Sequence, residues 1–205
     1  MKFEKVMEIA KKYKIPVIVD AAAQLPPKEN LQKFTKVGAD MVIFSGGKTL
    51  CGPQDSGVIL GKKEWIERCI KFGAPEHGIC RVSKTSREAM AGLYTAIENY
   101  VNQDEIERNQ ELRFLLHIIS EKLKDGKMKM KERIVERGPV GQTYPRLFLY
   151  LPEEIRADEI VYKMKERRIY IGADEFQNAI YVSPLNLNEE EAQIVAKELL
   201  DILTE

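Results

Sequence analysis

The sequence is poor in the residues that build metal sites and disulfide frameworks. Its two histidines, His77 and His117, have no histidine or cysteine neighbour at the spacing of metal ligands. Its three cysteines include no CxxC pair, and an odd number of isolated cysteines indicates reduced thiols. We expect no metal site, because a structural zinc is bound by four such side chains.

An excess of one charge and a long apolar run are missing as well. Lysine plus arginine equals aspartate plus glutamate at 32 residues each, so net charge gives no reason to expect a nucleic-acid partner. No apolar stretch reaches the length of a membrane span, and the charged, amphipathic "MKFEKVMEIAKKYK" does not have the layout of a signal peptide. We expect a cytoplasmic protein with no membrane partner.

The first half of the chain contains helical patterns that alternate with short apolar runs. The runs "IPVIVD" (residues 15–20), "ADMVIFSG" (39–46) and "SGVILG" (56–61) are nearly continuous in apolar residues. Strands of this kind, with helices between them, are typical of a mainly parallel sheet covered on both faces. The sequence therefore predicts an α/β fold.

The second half has a different pattern. Residues 83–124 form a long proline-free helical stretch, which we expect to break near "VNQDE", where polarity rises. Beyond it, strand patterns such as "KMKMKERIVER" and "PRLFLYLP" alternate with helical ones, and Asn188 with Glu191 is a plausible capping pair for the last helix. We predict two domains, residues 1–105 and a small α+β domain over residues 106–205.

The segment "MVIFSGGKTLCGPQDSGVILG", residues 41–61, carries Lys48 on a glycine turn between two apolar runs. Its "GGKT" matches the end of a phosphate-binding P-loop, but Val42 occupies the position of that motif's first glycine. The turn therefore has no room to wrap a phosphate. No GxGxxG follows "IPVIVD", so a dinucleotide site is not expected either.

A covalent role for Lys48 fits the pattern better. A lysine amine forms a Schiff base with a carbonyl, and desolvation at the end of a buried strand favours this chemistry. Pyridoxal phosphate (PLP) also needs a carboxylate against its pyridine nitrogen, and Asp20 ends the preceding apolar run. Ser45, with the amides of Gly46 and Gly47, is a candidate to bind the cofactor phosphate. In a parallel sheet both strand ends open to one crevice.

Each of these residues has a simpler interpretation. An aspartate at a strand end is often only a turn or cap residue, and a lysine after two glycines is often only solvated. Together and in this order, Asp20 and Lys48 favour a PLP site.

Two segments of the chain resemble the fold-type I PLP-dependent enzymes. "IPVIVDAAAQLPPKENL" followed by "GADMVIFSGGKTLCGPQDSGVILG" is most similar to the group that contains bacterial selenocysteine synthase (L-seryl-tRNA selenium transferase) and D-glucosaminate-6-phosphate ammonia-lyase-like proteins. That group typically has a Ser-Gly-Gly-Lys followed by a Gly-Pro-Gln. "GICRVSKTSREAMAGLYTAIENY" resembles the segment after the lysine strand, with Arg81, Lys84 and Glu88 at matching positions. The similarity covers residues 2–101 well and the rest loosely.

By this resemblance, Lys48 is the lysine that bonds to PLP, Asp20 is the partner of the pyridine nitrogen and Ser45 is a phosphate ligand. The implied fold is the C-terminal part of a fold-type I transferase, with a partial sheet, a long connecting helix and a small α+β domain. The implied function is a PLP-dependent lyase or transferase that acts on a small amino-acid-like substrate, in a homodimer or higher oligomer. Only the resemblance gives a reason to consider tRNA as a partner.

The resemblance suggests roles for three further residues. Gln54 would reach the phosphate of a neighbouring subunit's cofactor, and Gln24 would lie near the cofactor, although a loop hydrogen bond explains Gln24 equally well. Arg81 is a candidate to bind a substrate carboxylate or phosphate, because a guanidinium binds either group bidentately. An interdomain salt bridge is the alternative role for Arg81.

The resemblance covers only the C-terminal portion of those longer proteins. Their N-terminal half carries the first strands of the large domain, a phosphate-binding loop rich in Gly, Ser and Thr, and the residue that stacks on the pyridine ring. Because this chain begins one helix before "IPVIVD", we expect an incomplete catalytic unit, whether truncated or completed by another chain.

Two other functions stay open. Class V-type aminotransferases and desulfurases usually have a His or Gln three residues after the aspartate, where this chain has Ala23 and then Gln24. A cofactor-free remnant that dimerises is the alternative without catalysis, and the missing phosphate loop motivates it.

Overall fold

The computed structural model describes residues 2–126, 130–138 and 141–204. This part of the chain divides into two compact units at Gln103 and Asp104, and Gly141 with Gln142 belongs to the first unit. The elements of the first unit are α1 (Phe3–Tyr13), β1 (Ile18–Asp20), α2 (Asn30–Val37), β2 (Met41–Ser45), β3 (Gly57–Gly61), α3 (Lys63–Phe72), a 3₁₀ turn (Ile79–Ser83) and α4 (Arg87–Asn102). Those of the second unit are α5 (Glu105–Leu123), β4 (Lys131–Val135), β5 (Arg146–Tyr150), α6 (Ala157–Glu166), β6 (Gly172–Asp174), a 3₁₀ turn (Glu175–Gln177), β7 (Ala179–Val182) and α7 (Glu189–Thr204).

The first unit contains a three-stranded sheet in the order β1-β2-β3. β1 pairs with β2 in parallel, with Asp20 opposite Ile43, whereas β3 pairs with β2 antiparallel, with Ile59 opposite Ile43. The α/β class predicted from the sequence is confirmed, but this sheet is mixed where a mainly parallel one was expected. The connection between β2 and β3, residues 46–56, contains turns and no helix, and a parallel crossover needs about a dozen residues or more.

One face of the first sheet forms the core of the first unit. Val42 and Phe44 are fully buried on this face, and the pairing register puts Val19, Val58 and Leu60 beside them. Apolar residues of three helices, α1, α2 and α4, pack in the same cluster: Phe3, Leu31, Phe34, Leu93, Ile97 and Tyr100. The helices cover this face because their apolar residues recur at helical spacing.

Asp40 connects the starting ends of three elements. Its Oδ2 accepts the Val17 amide at 2.7 Å just before β1, and its Oδ1 accepts the Lys62 ammonium at 2.7 Å just before α3. Its backbone amide donates to the Val17 carbonyl at 2.9 Å, and its backbone carbonyl accepts the Lys62 amide at 3.0 Å. These bonds lower the pKa of the Asp40 carboxyl below its ordinary value, chiefly through Lys62, with smaller contributions from Val17 and Trp65. The start of the parallel pair is therefore held by one ionised carboxylate.

The second unit contains a four-stranded antiparallel sheet in the order β4-β5-β7-β6. One face of this sheet carries Leu147, Leu149, Ile180 and Val182 into a large apolar cluster. Helices α5, α6 and α7 supply the other side of that cluster, with fully buried residues at helical spacing: Leu116, Ile119, Met164, Ala192, Ala196 and Leu199. This arrangement agrees with the small α+β layer expected for the second half.

The long helical stretch of the sequence is broken where its polarity rises. Helix α4 ends at Asn102 and α5 begins at Glu105. Between them, Asp104 caps α5, because its Oδ1 accepts the amides of Ile106 at 2.8 Å and Glu107 at 3.4 Å. The break predicted near "VNQDE" is confirmed.

The capping pair predicted for the last helix is also confirmed. The Asn188 amide donates to Glu191 Oε2, and the Glu191 amide donates to Asn188 Oδ1, each at 2.9 Å. Of the strand pattern "KMKMKERIVER", residues 127–129 lie outside the described residues, and β4 begins at Lys131.

Asn178 anchors the segment that leads into α6. Its Nδ2 donates to the carbonyls of Pro152 at 3.1 Å and Ile155 at 2.9 Å, and its Oδ1 accepts the Ala157 amide at 3.1 Å. Its backbone has a left-handed conformation, with φ of 45°, which an asparagine adopts more readily than most residues. One side chain therefore joins the start of β7 to the start of α6.

We predict that Asp40→Asn destabilises the first unit in a pH-dependent way. At pH 7 the substitution should lower the free energy of unfolding by about 1 kcal/mol, because hydrogen bonds to an ionised group are lost. The pKa of Asp40 is lowered in the folded state, so its contribution is present above the unfolded pKa of about 3.9 and is lost as pH falls through the folded pKa. The difference between the two proteins should therefore shrink as pH falls through the folded pKa of Asp40.

The measurement is urea unfolding followed by fluorescence of Trp65, the single tryptophan, which lies in α3 of the first unit. Asp55→Asn, at an exposed carboxylate of the same unit, is the matched control and should change little. An Asp40→Asn effect that is the same at pH 2 and pH 7 would contradict the role of the charge.

We predict that Asn178→Ala costs the second unit about 3 kcal/mol, of which about 2 kcal/mol comes from the lost hydrogen bonds and about 1 from the left-handed backbone. Asn178→Gly removes the same bonds but tolerates the backbone, so it should cost about 2 kcal/mol. Far-UV circular dichroism during urea unfolding measures both. Equal values for the two variants would rule out the backbone contribution.

Candidate active site

The candidate site lies at one edge of the first sheet. β1 ends at Asp20 and β2 ends at Ser45. Because the two strands are parallel and Asp20 is opposite Ile43, their carboxyl ends reach the same edge, which is where ligands bind in open α/β sheets. The register also puts Asp20 and Ser45 on the same face of the sheet, because Ser45 follows Ile43 by one strand repeat.

Asp20 is exposed at this edge and makes a local turn. Its Oδ1 accepts the Ala22 amide at 3.0 Å, and the Ala21 amide continues the ladder to the Ile43 carbonyl at 2.9 Å. The role of Asp20 as a turn residue, which was the simpler interpretation of the sequence, is therefore confirmed. It occupies one carboxylate oxygen and leaves the side chain accessible to solvent.

The two glycines before the lysine are required for close packing. A Cβ on Gly46 would collide with Ser56 Oγ, and one on Gly47 would lie 2.6 Å from Gln54 Cα. The Gly46 amide donates to the Ser56 carbonyl at 2.9 Å, so it is committed to the hairpin and is not free to bind a phosphate. Gln54 contacts the same turn, because its Nε2 donates to the Gly47 carbonyl at 2.9 Å.

Lys48 lies in the turn over residues 46–50, which we call the lysine turn, and its side chain is exposed. Its carbonyl accepts the Cys51 amide at 2.8 Å. The next residue, Thr49, donates its hydroxyl to the Leu25 carbonyl at 2.9 Å, so the lysine turn is tied to the loop that follows β1. Within the described chain, the lysine does not have the buried surroundings expected for a Schiff-base lysine.

Gln24 belongs to that same loop. Its amide donates to the Ala21 carbonyl at 3.0 Å, and its carbonyl accepts Asn30 Nδ2 at 2.6 Å. The loop hydrogen bonds considered for Gln24 are therefore present in its backbone, while its side chain is half-buried. The Thr49–Leu25 bond brings this loop and the lysine turn together.

Arg81 lies in the 3₁₀ turn Ile79–Ser83 of the same unit. Its side chain is half-buried, and its Nε is fully buried with no hydrogen-bond partner among the described residues. No hydrogen bond or ion pair between described residues joins Arg81 to the lysine turn. A buried guanidinium nitrogen without an acceptor is costly unless an anion binds it.

Thr49 and Ser56 support the site and were not singled out from the sequence. Thr49 ties two loops together, and Ser56 is the buried neighbour that Gly46 must approach. The sequence signal for Thr49 is its position directly after the lysine, which matches a P-loop. Ser56 gave no such signal, because its role depends on the hairpin.

A cavity of about 290 Å³ lies in the second unit, between α5 and β4, and not at the lysine turn. Ser120 on its wall donates to both carboxylate oxygens of Glu132 at 2.8 Å. In residues 2–126, 130–138 and 141–204, no group of three or more His, Cys, Asp or Glu side chains could hold a metal ion. No helix in the same residues is long and apolar enough to cross a membrane.

The chain is similar to two kinds of characterised protein. A family model described as SelA, L-seryl-tRNA selenium transferase, matches residues 1–142. The D-glucosaminate-6-phosphate ammonia lyase of Salmonella typhimurium is 44% identical over 94 residues, or 46% of this chain and 23% of that protein. The L-seryl-tRNA(Sec) selenium transferase of Haemophilus influenzae is 32% identical over 144 residues, or 65% of this chain and 30% of that protein.

Solved structures extend the similarity over nearly the whole chain. A D-glucosaminate-6-phosphate ammonia-lyase matches with a TM-score of 0.72 and 27% identity over 98% of this chain and 53% of its own. An archaeal O-phosphoseryl-tRNA(Sec) selenium transferase matches with a TM-score of 0.61 at 16% identity over 96% of this chain and 46% of its own, and it supports the fold alone.

This chain therefore spans about half of these structures and less than a third of the curated relatives. The structural neighbours are fold-type I PLP-dependent enzymes, and the families of the relatives are PLP-dependent. The family model covers more than half of the chain, so the chain belongs to the SelA family of L-seryl-tRNA selenium transferases and has part of the fold-type I architecture.

Proposed function

We propose that this chain supplies the lysine-bearing part of a PLP-dependent lyase or transferase that acts on an amino-acid-like substrate. The observation that carries the proposal is the common edge of β1 and β2. Asp20 ends one strand, Ser45 ends the other, and Lys48 follows on a turn tied to the β1 loop through Thr49. The aspartate, the serine and the lysine therefore end or follow two neighbouring parallel strands at one edge of the sheet.

These three groups fit the chemistry of PLP. The Lys48 amine would bond to the aldehyde carbon, the Asp20 carboxylate would hold a proton on the pyridine nitrogen, and the Ser45 hydroxyl would donate to the phosphate. The Gly47 amide would also donate to the phosphate. Gly46 supports the turn by packing, because its amide is already bonded to Ser56.

When bound, PLP supplies an electron sink for negative charge that develops on the substrate beside its amino group. Residues of this chain would provide proton transfer and hold the reacting groups in position. The Lys48 amine would be the base that removes and returns a proton at the substrate carbon. Asp20 would lie against the pyridine nitrogen, and its turn with Ala22 holds the carboxylate in position.

Arg81 is the candidate for the substrate anion. Its Nε is buried without an acceptor among the described residues, and a guanidinium binds a carboxylate or phosphate bidentately. The names of both relatives describe amino-acid-like compounds, a phosphorylated amino sugar acid and a seryl group on tRNA. An amino acid with a further anionic group is therefore the substrate class we propose.

A tRNA partner and an oligomer with shared sites stay predictions from the family alone. The net charge of zero gives no support for a nucleic-acid surface. Gln54 is bonded to the Gly47 carbonyl of its own turn, so a contact with a neighbouring subunit's cofactor would require its side chain to turn away.

The test is labelling of the protein with PLP, followed by borohydride reduction and peptide mapping. We expect an absorbance band in the visible or near-ultraviolet region and a modification concentrated at Lys48, which Lys48→Ala reduces to background. Lys36→Ala, at an exposed lysine of α2, is the matched control and should leave the label at Lys48 unchanged. Asp20→Asn should weaken PLP binding by about tenfold, because a charge-assisted hydrogen bond is lost.

Labelling spread evenly over the exposed lysines, both for this chain and for its complex with the remaining part of a relative, would overturn the proposal. That result would favour the cofactor-free remnant. A band that persists in Lys48→Ala would likewise assign the chemistry to a different residue.

A further inference from the structure

One arginine of the second unit is buried without an acceptor for its hydrogen-bond donors. Arg146 begins β5 and is only 5% exposed. Its Nη1 is fully buried with no hydrogen-bond partner, and no other residue of the described chain forms a hydrogen bond or ion pair with its guanidinium. A buried charged donor of this kind costs free energy unless an acceptor reaches it.

Arg146 lies on the face of the second sheet that is turned away from the helices. Leu147 and Leu149 carry the other face into the apolar cluster with α5, α6 and α7, so Arg146 and Phe148 alternate with them on this side. Phe148 stacks on Tyr181 of β7, with the ring centroids 5.1 Å apart. The apolar core therefore does not explain why Arg146 is buried.

Stacking on Tyr144 accounts for the charge of Arg146 but not for its donors. The guanidinium carbon lies 3.7 Å from the centroid of the Tyr144 ring, which is close for a cation–π contact. Such a contact uses the flat face of a guanidinium, whereas its five N–H groups point outward in its plane. Tyr144 therefore fixes the plane of the guanidinium and leaves the N–H groups without acceptors.

Further positive charge shares this face of the sheet. Val135 of β4 is directly opposite Arg146, and Arg133 lies diagonally across from it on the same face. Lys131 comes one strand repeat further along, with its ammonium 5.8 Å from the centroid of the Tyr150 ring. Three cationic side chains on two neighbouring strands create a potential that attracts an anion.

The nearby carboxylates are bonded to other residues. Glu136, which follows β4, binds Arg113 with an N–O distance of 2.6 Å. Asp174 of β6 lies on the same face as Arg146, but two strands away and level with the other end of β5. Its carboxylate accepts the amide of Gln177 at 3.3 Å and the Nε2 of Gln177 at 2.6 Å. The described chain therefore places cations around Arg146 and no acidic partner for it.

We propose that Arg146 and Tyr144 form a binding site in the second unit for the carboxylate or phosphate group of a small ligand. Arg146 donates two N–H groups to two oxygens of the anion in a bidentate pair. Tyr144 holds the guanidinium in the orientation for that pair, and Arg133 and Lys131 draw the anion to this face. The proposal goes beyond the proposed function, because it uses no residue of the lysine turn and needs no PLP.

The burial of Arg146 is uneven, and this leaves one edge for the ligand. Nη1 is fully buried, whereas Nε and Nη2 are neither fully buried nor bonded within the described chain. A carboxylate or phosphate that approaches this edge meets two parallel N–H groups. The dry surroundings of Nη1 strengthen the attraction, because charges interact more strongly where water is excluded.

The test is titration of the full 205-residue chain with inorganic phosphate and, separately, with acetate at constant ionic strength. The arginine Nε–H signals are followed by ¹⁵N NMR, and a nuclear Overhauser effect to the Tyr144 ring assigns the Arg146 signal without a variant. We expect this signal to shift and saturate with a dissociation constant on the order of 1 mM, as for a single bidentate pair.

Arg146→Lys keeps the charge but removes the planar pair of donors, so it should weaken the binding by at least about tenfold. Arg137→Lys, at an exposed arginine that follows β4 in the same unit, is the matched control and should leave the dissociation constant unchanged. Circular dichroism checks that both variants fold. Should Arg146→Lys unfold, the titration of the assigned Arg146 signal in the unaltered chain decides the question.

Saturation with phosphate alone assigns the site to a phosphate group, with acetate alone to a carboxylate, and with both to either anion. The proposal is overturned by an Arg146 signal that does not move, by shifts that stay linear or are equal at several arginines, or by equal effects of Arg146→Lys and Arg137→Lys. Stacking on Tyr144 would then be the whole role of Arg146. None of these outcomes depends on labelling at Lys48, so the proposed function is tested separately.

Discussion

The parallel pairing of β1 with β2 is the constraint on which the candidate site depends. Asp40 holds its starting end, since one carboxylate accepts the Val17 amide before β1 and the Lys62 ammonium before α3. Because the two strands then run in the same direction, Asp20 and Ser45 emerge at one edge. An antiparallel pairing would have carried these two side chains to opposite ends of the sheet.

The lysine turn adds a second constraint at that edge. Gly46 must lack a side chain because Ser56 of the returning chain packs against it, and Thr49 ties the turn to the carbonyl of Leu25. The turn is therefore held on one side by the hairpin to β3 and on the other by the loop after β1. Lys48 is carried by backbone with defined contacts, although its own side chain is solvated.

Local signals in the sequence predicted most of the elements. The apolar runs marked the strands, rising polarity marked the break at Asp104, and Asn188 with Glu191 marked the start of α7. The shared edge of the ends of β1 and β2 followed from the logic of parallel strands. These predictions succeeded because each depends on neighbours a few residues away or on one rule of topology.

The features that escaped prediction depend on residues far apart in the chain. The antiparallel direction of β3 follows from the helix-free connection over residues 46–56 and not from the apolar pattern of the strand. The commitment of the Gly46 amide requires Ser56 to return beside it, and the role of Asp40 requires both Val17 and Lys62. Long-range pairing of this kind leaves no periodic trace in the sequence.

One disagreement between pattern and structure is informative. β2 has apolar residues on both faces, yet only the Val42 and Phe44 side is buried by the described chain, while Ile43 is 38% exposed. Local preference and tertiary burial normally agree in a folded protein. Here they disagree at one surface, and that surface carries the carboxylate and the hydroxyl of the candidate site. The exposed Ile43 and the solvated Lys48 therefore adjoin the same strand end, and the sequence of β2 is more apolar than its burial in the described chain requires.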